Sequence, residues 1–230
     1  MNSIEQQIWG FTPEGEAVVR YTMTNAGGAS VVLSNIGAGI IAVNVPDRNG
    51  KLANVALGYD RFESYFGDGP YMGKTPGRFA NRIGEGRFTL DGKEYRLAQN
   101  SGGQHLRGGL KGFANKVWTG RVETDRVVFS LVSPDGDDKY PGEVTVEVCY
   151  DWNDDCELEI TYYAKTDAPT IINLTNHSYF NLKGESAGRA MEQELQLNAS
   201  KFLWYDKNCI PTGELVEVKG TPMDFTTAKA

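Results

Sequence analysis

Apolar and polar residues alternate one by one along much of this chain, and a period of two restricts it to strands. In Glu143-Val144-Thr145-Val146-Glu147-Val148-Cys149-Tyr150, the residues Val144, Val146, Val148 and Tyr150 fall on one face. Successive side chains of a strand point to opposite sides, so this run sets an apolar row against a core and a polar row toward water. Leu158, Ile160, Tyr162 and Ala164 repeat the pattern, with Glu157, Glu159 and Thr161 facing away. Asn153-Asp154-Asp155 lies between the two runs and predicts a hairpin. Residues 87–90 and 93–97 form a second hairpin around Asp91-Gly92, the strongest short-range hairpin signal. Residues 117–122 and 127–132 form a third through Thr124-Asp125, and residues 18–23, 30–34 and 40–45 also read as strands. Helical signals are confined to residues 61–66, enough for a turn or two. With 27 glycines and nine prolines the chain has the punctuation that many short strands need. No repeat or linker divides it. The expectation is one all-β domain over residues 1–230, a large antiparallel β-sandwich with room for a substantial core.

Charge narrows the partners. The formal net charge of −7 opposes nucleic acid or an anionic membrane as the main partner and leaves a small neutral ligand open. No apolar run reaches membrane-spanning length. The first seven residues, Met1-Asn2-Ser3-Ile4-Glu5-Gln6-Gln7, have neither a basic n-region nor an apolar h-region, so the expected location is cytoplasmic. Cys149, Cys156 and Cys209 are scattered, odd in number and without a C-x-x-C, which reads as reduced thiols and neither a disulfide framework nor a metal site. Sequence leaves the oligomeric state open.

Polar groups concentrate in four segments that break the alternation. Gly77-Arg78-Phe79-Ala80-Asn81-Arg82-Ile83 carries two arginines four apart with Asn81 beside the second. Five guanidinium donors in a fixed fork, next to an amide that both donates and accepts, suit the hydroxyls of a polar ligand. Arginines paired with surface acids are the alternative. Two histidines are present. His105 lies in a glycine-rich stretch, Gly102-Gly103-Gln104-His105-Leu106-Arg107-Gly108-Gly109, and His177 in Asn176-His177-Ser178-Tyr179. Histidine exchanges protons near neutral pH, so an acid–base site competes with a histidine merely satisfied in a half-buried strand. Asn176, Ser178 and Tyr179 favour the site at His177. The fourth segment ends in Pro222-Met223-Asp224-Phe225, where Asp224 either accepts from ligand hydroxyls or caps a turn.

Together these segments resemble the aldose 1-epimerase (galactose mutarotase) family. The matching stretches are Leu57-Gly58-Tyr59-Asp60, residues 77–83, Gly112-Phe113 with Trp118, Tyr140-Pro141-Gly142, residues 173–182 and residues 210–225. They follow the family's order and spacing over nearly the whole chain. The resemblance implies the galactose mutarotase-like β-supersandwich, and interconversion of the α and β anomers of a free aldohexose, galactose or glucose, without cofactor or metal. It implies that a base takes the proton of the C1 hydroxyl while an acid protonates the ring oxygen. His177 is the implied acid, positioned by Asn176, Ser178 and Tyr179. Asn81, Arg82 and Asp224 are implied sugar ligands, with Tyr71 or Trp118 as the aromatic beneath the sugar.

The chain departs from the family pattern twice. Leu106-Arg107-Gly108-Gly109 stands where the family writes Leu-His-Gly-Gly, so Arg107 replaces its first site histidine. If the segment is extended, His105 points to the same side as Arg107 and takes over part of that role. The family's base glutamate lies in a later segment with no counterpart before Ala230, which leaves a truncated form or a base from elsewhere. A carbohydrate-binding protein without turnover and an epimerase for an anionic sugar drawn by Arg107 stand as the competing readings.

Overall fold

The computed structural model describes residues 3–230; Met1 and Asn2, the start of the N-terminal stretch read above, lie outside them. Strands β1 (Ser3–Phe11), β2 (Ala17–Thr24), β3 (Ser30–Ser34), β4 (Gly39–Pro46) and β5 (Leu52–Asn54) form an antiparallel sheet in chain order. Three of these were legible as alternation. Tyr21, Met23, Val31, Leu33 and Ile40 are all buried on its inner face. Val32 and Ile41 point the other way and pack with Phe62 and the buried Tyr65 of a single 3₁₀ turn, Phe62–Tyr65, where the sequence allowed its only helical turn.

The chain then passes through short pieces. Strand β6 (Arg82–Ile83) precedes the hairpin β7 (Arg87–Leu90) and β8 (Lys93–Arg96), and β9 (His105–Leu106) returns to pair with β6. Strands β10 (Thr119–Glu123), β11 (Arg126–Ser133), β12 (Val144–Trp152) and β13 (Leu158–Thr166) build a second antiparallel sheet, again in chain order. Strand β10 begins two residues later than its sequence suggests. Trp118 turns into the core instead, 1% exposed, with its indole N–H donating to Phe113 O at 3.0 Å. A last hairpin, β14 (Lys201–Tyr205) with β15 (Pro211–Glu217), pairs only with itself among the described residues and carries the exposed Leu203, Trp204, Tyr205 and Leu215.

The two large sheets bury their alternating rows against each other. Val144, Val146, Val148 and Tyr150, read as one face, are at most 1% exposed. Tyr21 meets Phe129 edge to face at 5.3 Å between ring centroids, an arrangement that aromatic quadrupoles favour. Two polar ties cross between the sheets: Tyr150 O–H donates to Ala38 O at 2.7 Å, and Trp152 N–H to Ala29 O at 3.2 Å. Both groups are buried and would cost free energy unpaired. Cys149, Cys156 and Cys209 are free thiols. Among the described residues no helix is long and apolar enough to cross a membrane.

Arg78 joins the second sheet to the segment that carries the polar motifs. It is 1% exposed. Its guanidinium donates to Pro141 O (2.8 Å), Gly142 O (2.9 Å), Ser133 Oγ (2.8 Å) and Ser133 O (3.2 Å), with weaker contacts to Pro134 O and Thr170 Oγ1. It also lies over the Tyr140 ring at 5.5 Å. The pair of arginines four apart is thus divided: Arg78 ties loops together and Arg82 alone faces a ligand space. Replacing Arg78 with Met strips several buried carbonyls of a charged donor at once. The expected loss is at least about 3 kcal/mol, read as a lower denaturant midpoint at unchanged m-value.

Candidate active site

Three segments that alternation left unexplained are laced together by backbone bonds. Asn173 and the 77–83 segment run side by side, with Ala80 N–H donating to Asn173 O (2.8 Å) and Asn173 N–H to Arg78 O (3.0 Å). Arg107 N–H donates to Asn81 O at 2.9 Å. His177 is bracketed by Gly73 and Lys74: its N–H donates to Lys74 O at 2.9 Å and its carbonyl accepts from Gly73 N–H at 3.1 Å. The approach of these backbones dictates two glycines. A Cβ on Gly108 would stand 1.6 Å from Gly77 O, and one on Gly73 1.8 Å from Ile40 O, both residues having positive φ.

The result is a cleft of about 590 Å³ lined by Asn81, Arg82, Leu106, Arg107, Asn173, Leu174, Thr175, Asn176, His177 and Ser178, with Pro76 and Ala80. Its lining is polar and holds two guanidinium groups and one imidazole, but no carboxylate. A second cleft, about 620 Å³, is lined by residues such as Thr12, Glu14, Phe66 and Lys116; it shares none of these groups and has no histidine.

A loop beneath the cleft holds its charged groups. Lys74, wholly buried, forms an ion pair with Asp68, itself 2% exposed, and donates to Tyr65 O at 2.6 Å. Burial pushes the Lys74 ammonium below its ordinary range and the Asp68 carboxylate offsets part of that. Asp68 also accepts from Met72 N–H at 3.0 Å, which closes the loop between them. That loop seats Arg107. Gly69 O accepts from Arg107 Nη1 at 2.7 Å, and the guanidinium carbon lies 4.5 Å over the Tyr71 ring. Its second terminal nitrogen reaches His177 Nε2 at 3.1 Å. The His177 ring also faces Tyr179 at 5.1 Å and Tyr71 at 6.5 Å between centroids. Burial first, and then the Arg107 charge, hold its imidazole below the ordinary value, with Asp68 acting weakly against them.

The expected residues separate into those at the cleft and those elsewhere. Asn81, Arg82, Arg107, Asn176, His177 and Ser178 all line it. Asn176 is occupied in positioning: its amide donates to Gly73 O (2.8 Å) and accepts from Ser178 N–H (3.0 Å). Ser178 Oγ is buried and has no hydrogen-bond partner among the described residues. Tyr179 stays outside the lining and donates to Pro70 O at 3.1 Å. His105 does not share the cleft. It is 0% exposed, with Nδ1 bonded to Ala98 O (2.8 Å) and Nε2 to the Tyr140 hydroxyl (2.5 Å). The extended-segment premise fails because Arg107 has φ +55°, which swings its side chain away from that of His105. Asp224 is also absent from the lining. Its carboxylate caps a turn, accepting from Thr226 O–H (2.6 Å) and N–H (3.2 Å), and these bonds hold it below the usual carboxylate range. Trp118 is a core residue, whereas Tyr71 lies beside His177. Asp68 and Lys74 had no sequence signature beyond lying in a glycine-rich loop. Among the described residues no three metal-ligating side chains cluster.

Comparison with known proteins agrees with this fold. Residues 19–230 match the family model "Aldose 1-epimerase". Galactose mutarotase of Bos taurus is 44% identical over 225 residues, 98% of this chain and 66% of its own length. Aldose 1-epimerase of Escherichia coli (strain K12) is 37% identical over 218 residues, covering 94% and 63%. The solved galactose 1-epimerase from Lactobacillus acidophilus NCFM superimposes with a TM-score of 0.88 at 29% identity, over all of this chain and 67% of that one. The chain therefore belongs to the aldose 1-epimerase family, and it spans 66% of the length of the mammalian galactose mutarotases it matches.

Burial depresses both imidazoles from their ordinary value of 6.5. The unfolded chain then takes up protons that the folded chain refuses, so stability is complete above about pH 6.5 and falls as pH drops below it. Chemical denaturation at pH 7.5 and 5.5 should show a lower midpoint at the acid pH, and His105→Gln should reduce that difference.

Proposed function

We propose that this chain interconverts the α and β anomers of a free aldohexose, galactose or glucose, by proton exchange that opens and recloses the sugar ring. The observation that carries the reading is one imidazole, His177, in a cleft whose other polar groups suit sugar hydroxyls. Asn81, Arg82 and Asn173 supply donors and acceptors around it. The Tyr71 ring beside His177 carries the Arg107 guanidinium over its face and so holds that cation at the cleft. Ring opening moves one proton and breaks the C1–O5 bond, with no redox change and no need for a cofactor. The printed names of the relatives, galactose mutarotase and aldose 1-epimerase, support the same reading. A cytoplasmic setting suits the three free thiols.

Polarimetry tests the activity. Protein added to freshly dissolved α-D-galactose should speed the change in rotation well beyond the buffer's own rate. His177→Asn should cut that acceleration by about 10²–10⁴-fold, the usual worth of a positioned proton-exchanging group. A rate equal to buffer at saturating protein removes the activity.

Two guanidinium groups without a lining carboxylate favour a second reading, an anionic sugar. Galactose 6-phosphate should then bind more tightly than galactose by calorimetry and lose that advantage at high salt. Equal affinity for the two disposes of this reading.

A further inference from the structure

One short loop holds the His177 side of the cleft. The main chain of residues 69–74 makes five bonds to it. Gly69 O accepts from Arg107 Nη1 (2.7 Å), Pro70 O from the Tyr179 hydroxyl (3.1 Å) and Gly73 O from the Asn176 amide (2.8 Å). Gly73 N–H donates to His177 O (3.1 Å), and Lys74 O accepts from His177 N–H (2.9 Å). Asn81, Arg82 and Asn173 are placed by the other ladder, in which Ala80 and Arg78 bond to Asn173. The cleft therefore has two separately built halves, joined where Arg107 N–H meets Asn81 O.

Charge closes the loop. Asp68 and Lys74 stand at its two ends, and their side chains are 2% and 0% exposed. A carboxylate and an ammonium resist such burial unless each has a partner. Asp68 also accepts from Met72 N–H at 3.0 Å, and Lys74 donates to Tyr65 O at 2.6 Å and Asn115 Oδ1 at 3.5 Å. Between them Tyr71, at φ +59°, sets its ring where Lys74 Nζ lies 5.0 Å and the Arg107 guanidinium carbon 4.5 Å from the centroid. The ring attracts both cations, which repel one another.

An apolar pair of like volume could stabilise the fold as well. The ion pair differs in permitting one closure of the loop. Apolar side chains can slide past each other, whereas a buried ammonium must keep its carboxylate and its carbonyl. Neither Asp68 nor Lys74 lines the cleft. Resting on the aldose reading above, we propose that Asp68 and Lys74 are positioning residues, whose ion pair fixes the loop that sets His177 and Arg107 for the chemical step.

The consequence is a split between turnover and affinity. Asp68→Asn together with Lys74→Met leaves no lone charge buried and keeps an oxygen for Met72 N–H. A shift of about 1 Å at a reacting group costs about 10²-fold in rate. The double variant should therefore lose about 10²-fold in kcat for galactose, with KM held within about threefold by Asn81, Arg82 and Asn173. Val146→Ala, in the sandwich core, should lower the denaturant midpoint and leave both constants alone.

The His177 ring reports the same event. Arg107 bonds to it, Tyr71 and Tyr179 flank it, Arg82 shares its cleft, and Asp68 lies below, paired with Lys74. Loss of the Asp68 charge by itself lowers the His177 titration, and withdrawal of Arg107 raises it. A rise in the double variant, followed by histidine ¹H NMR, is the expected sign that the loop has released Arg107.

The unaltered protein supplies a test that needs no variant to fold. The amides of Met72, Gly73 and His177 are bonded across this loop and should resist hydrogen exchange as the sandwich strands do. Exchange as fast as that of an exposed turn overturns the proposal. So does a double variant with kcat unchanged or with a lowered His177 titration, and so does an equal loss of kcat in Val146→Ala. No acceleration by the unaltered protein removes the aldose reading, while exchange and titration still decide what holds the loop.

Discussion

One buried guanidinium holds the polar half of this molecule to the apolar half. The sandwich needs no help from Arg78 to bury its alternating rows, but the loops at the end of the second sheet do. Ser133, at the end of β11, and Pro134, Pro141 and Gly142 in the loop that follows present carbonyls to this one guanidinium. Buried carbonyls without donors are costly, and a single planar cation with five N–H groups satisfies several together. Because Arg78 sits in the same segment as Asn81 and Arg82, satisfying those loops also sets the position of the cleft.

A second level of order rests on the first. Asp68 and Lys74 cancel one another's charge below the cleft, so the net charge that a ligand meets comes from Arg82 and Arg107. Such a pair is weak evidence for stability, since desolvation consumes much of its attraction. Its effect here is geometric. It closes the loop whose carbonyl and aromatic ring hold Arg107, and Arg107 in turn reaches the His177 ring. Core, loop, arginine and imidazole thus form one sequence of contacts, each fixed by the one before it.

The sandwich was legible because burial imposes period two on strands with one wet face. Val144, Val146, Val148 and Tyr150 announce β12 without any partner being known, and Asp91-Gly92 locates its hairpin by turn chemistry alone. Strands β14 and β15 were missed: Leu203, Trp204, Tyr205 and Leu215 stay exposed, so their sequence lacks a buried row. At the site, residue type was informative and direction was not. Asn81, Arg82 and His177 line one cleft, while His105 and Arg78 are drawn away by carbonyls, hydroxyls and a tyrosine of other segments. One backbone angle, the left-handed φ of Arg107, separated it from His105, and arginine carries no preference that would reveal such an angle. Asp68 and Lys74 pair through a loop whose closure only three dimensions show.

The glycines under the cleft have an entropic consequence. Where Gly108 meets Gly77 and Gly73 meets Ile40, main chain touches main chain with no side chain between. A floor of that kind has no rotamers to freeze when a guest arrives. Association therefore spends its ordering cost on the guest and on side chains such as Arg82, since Arg107 is already held by Gly69 and Tyr71.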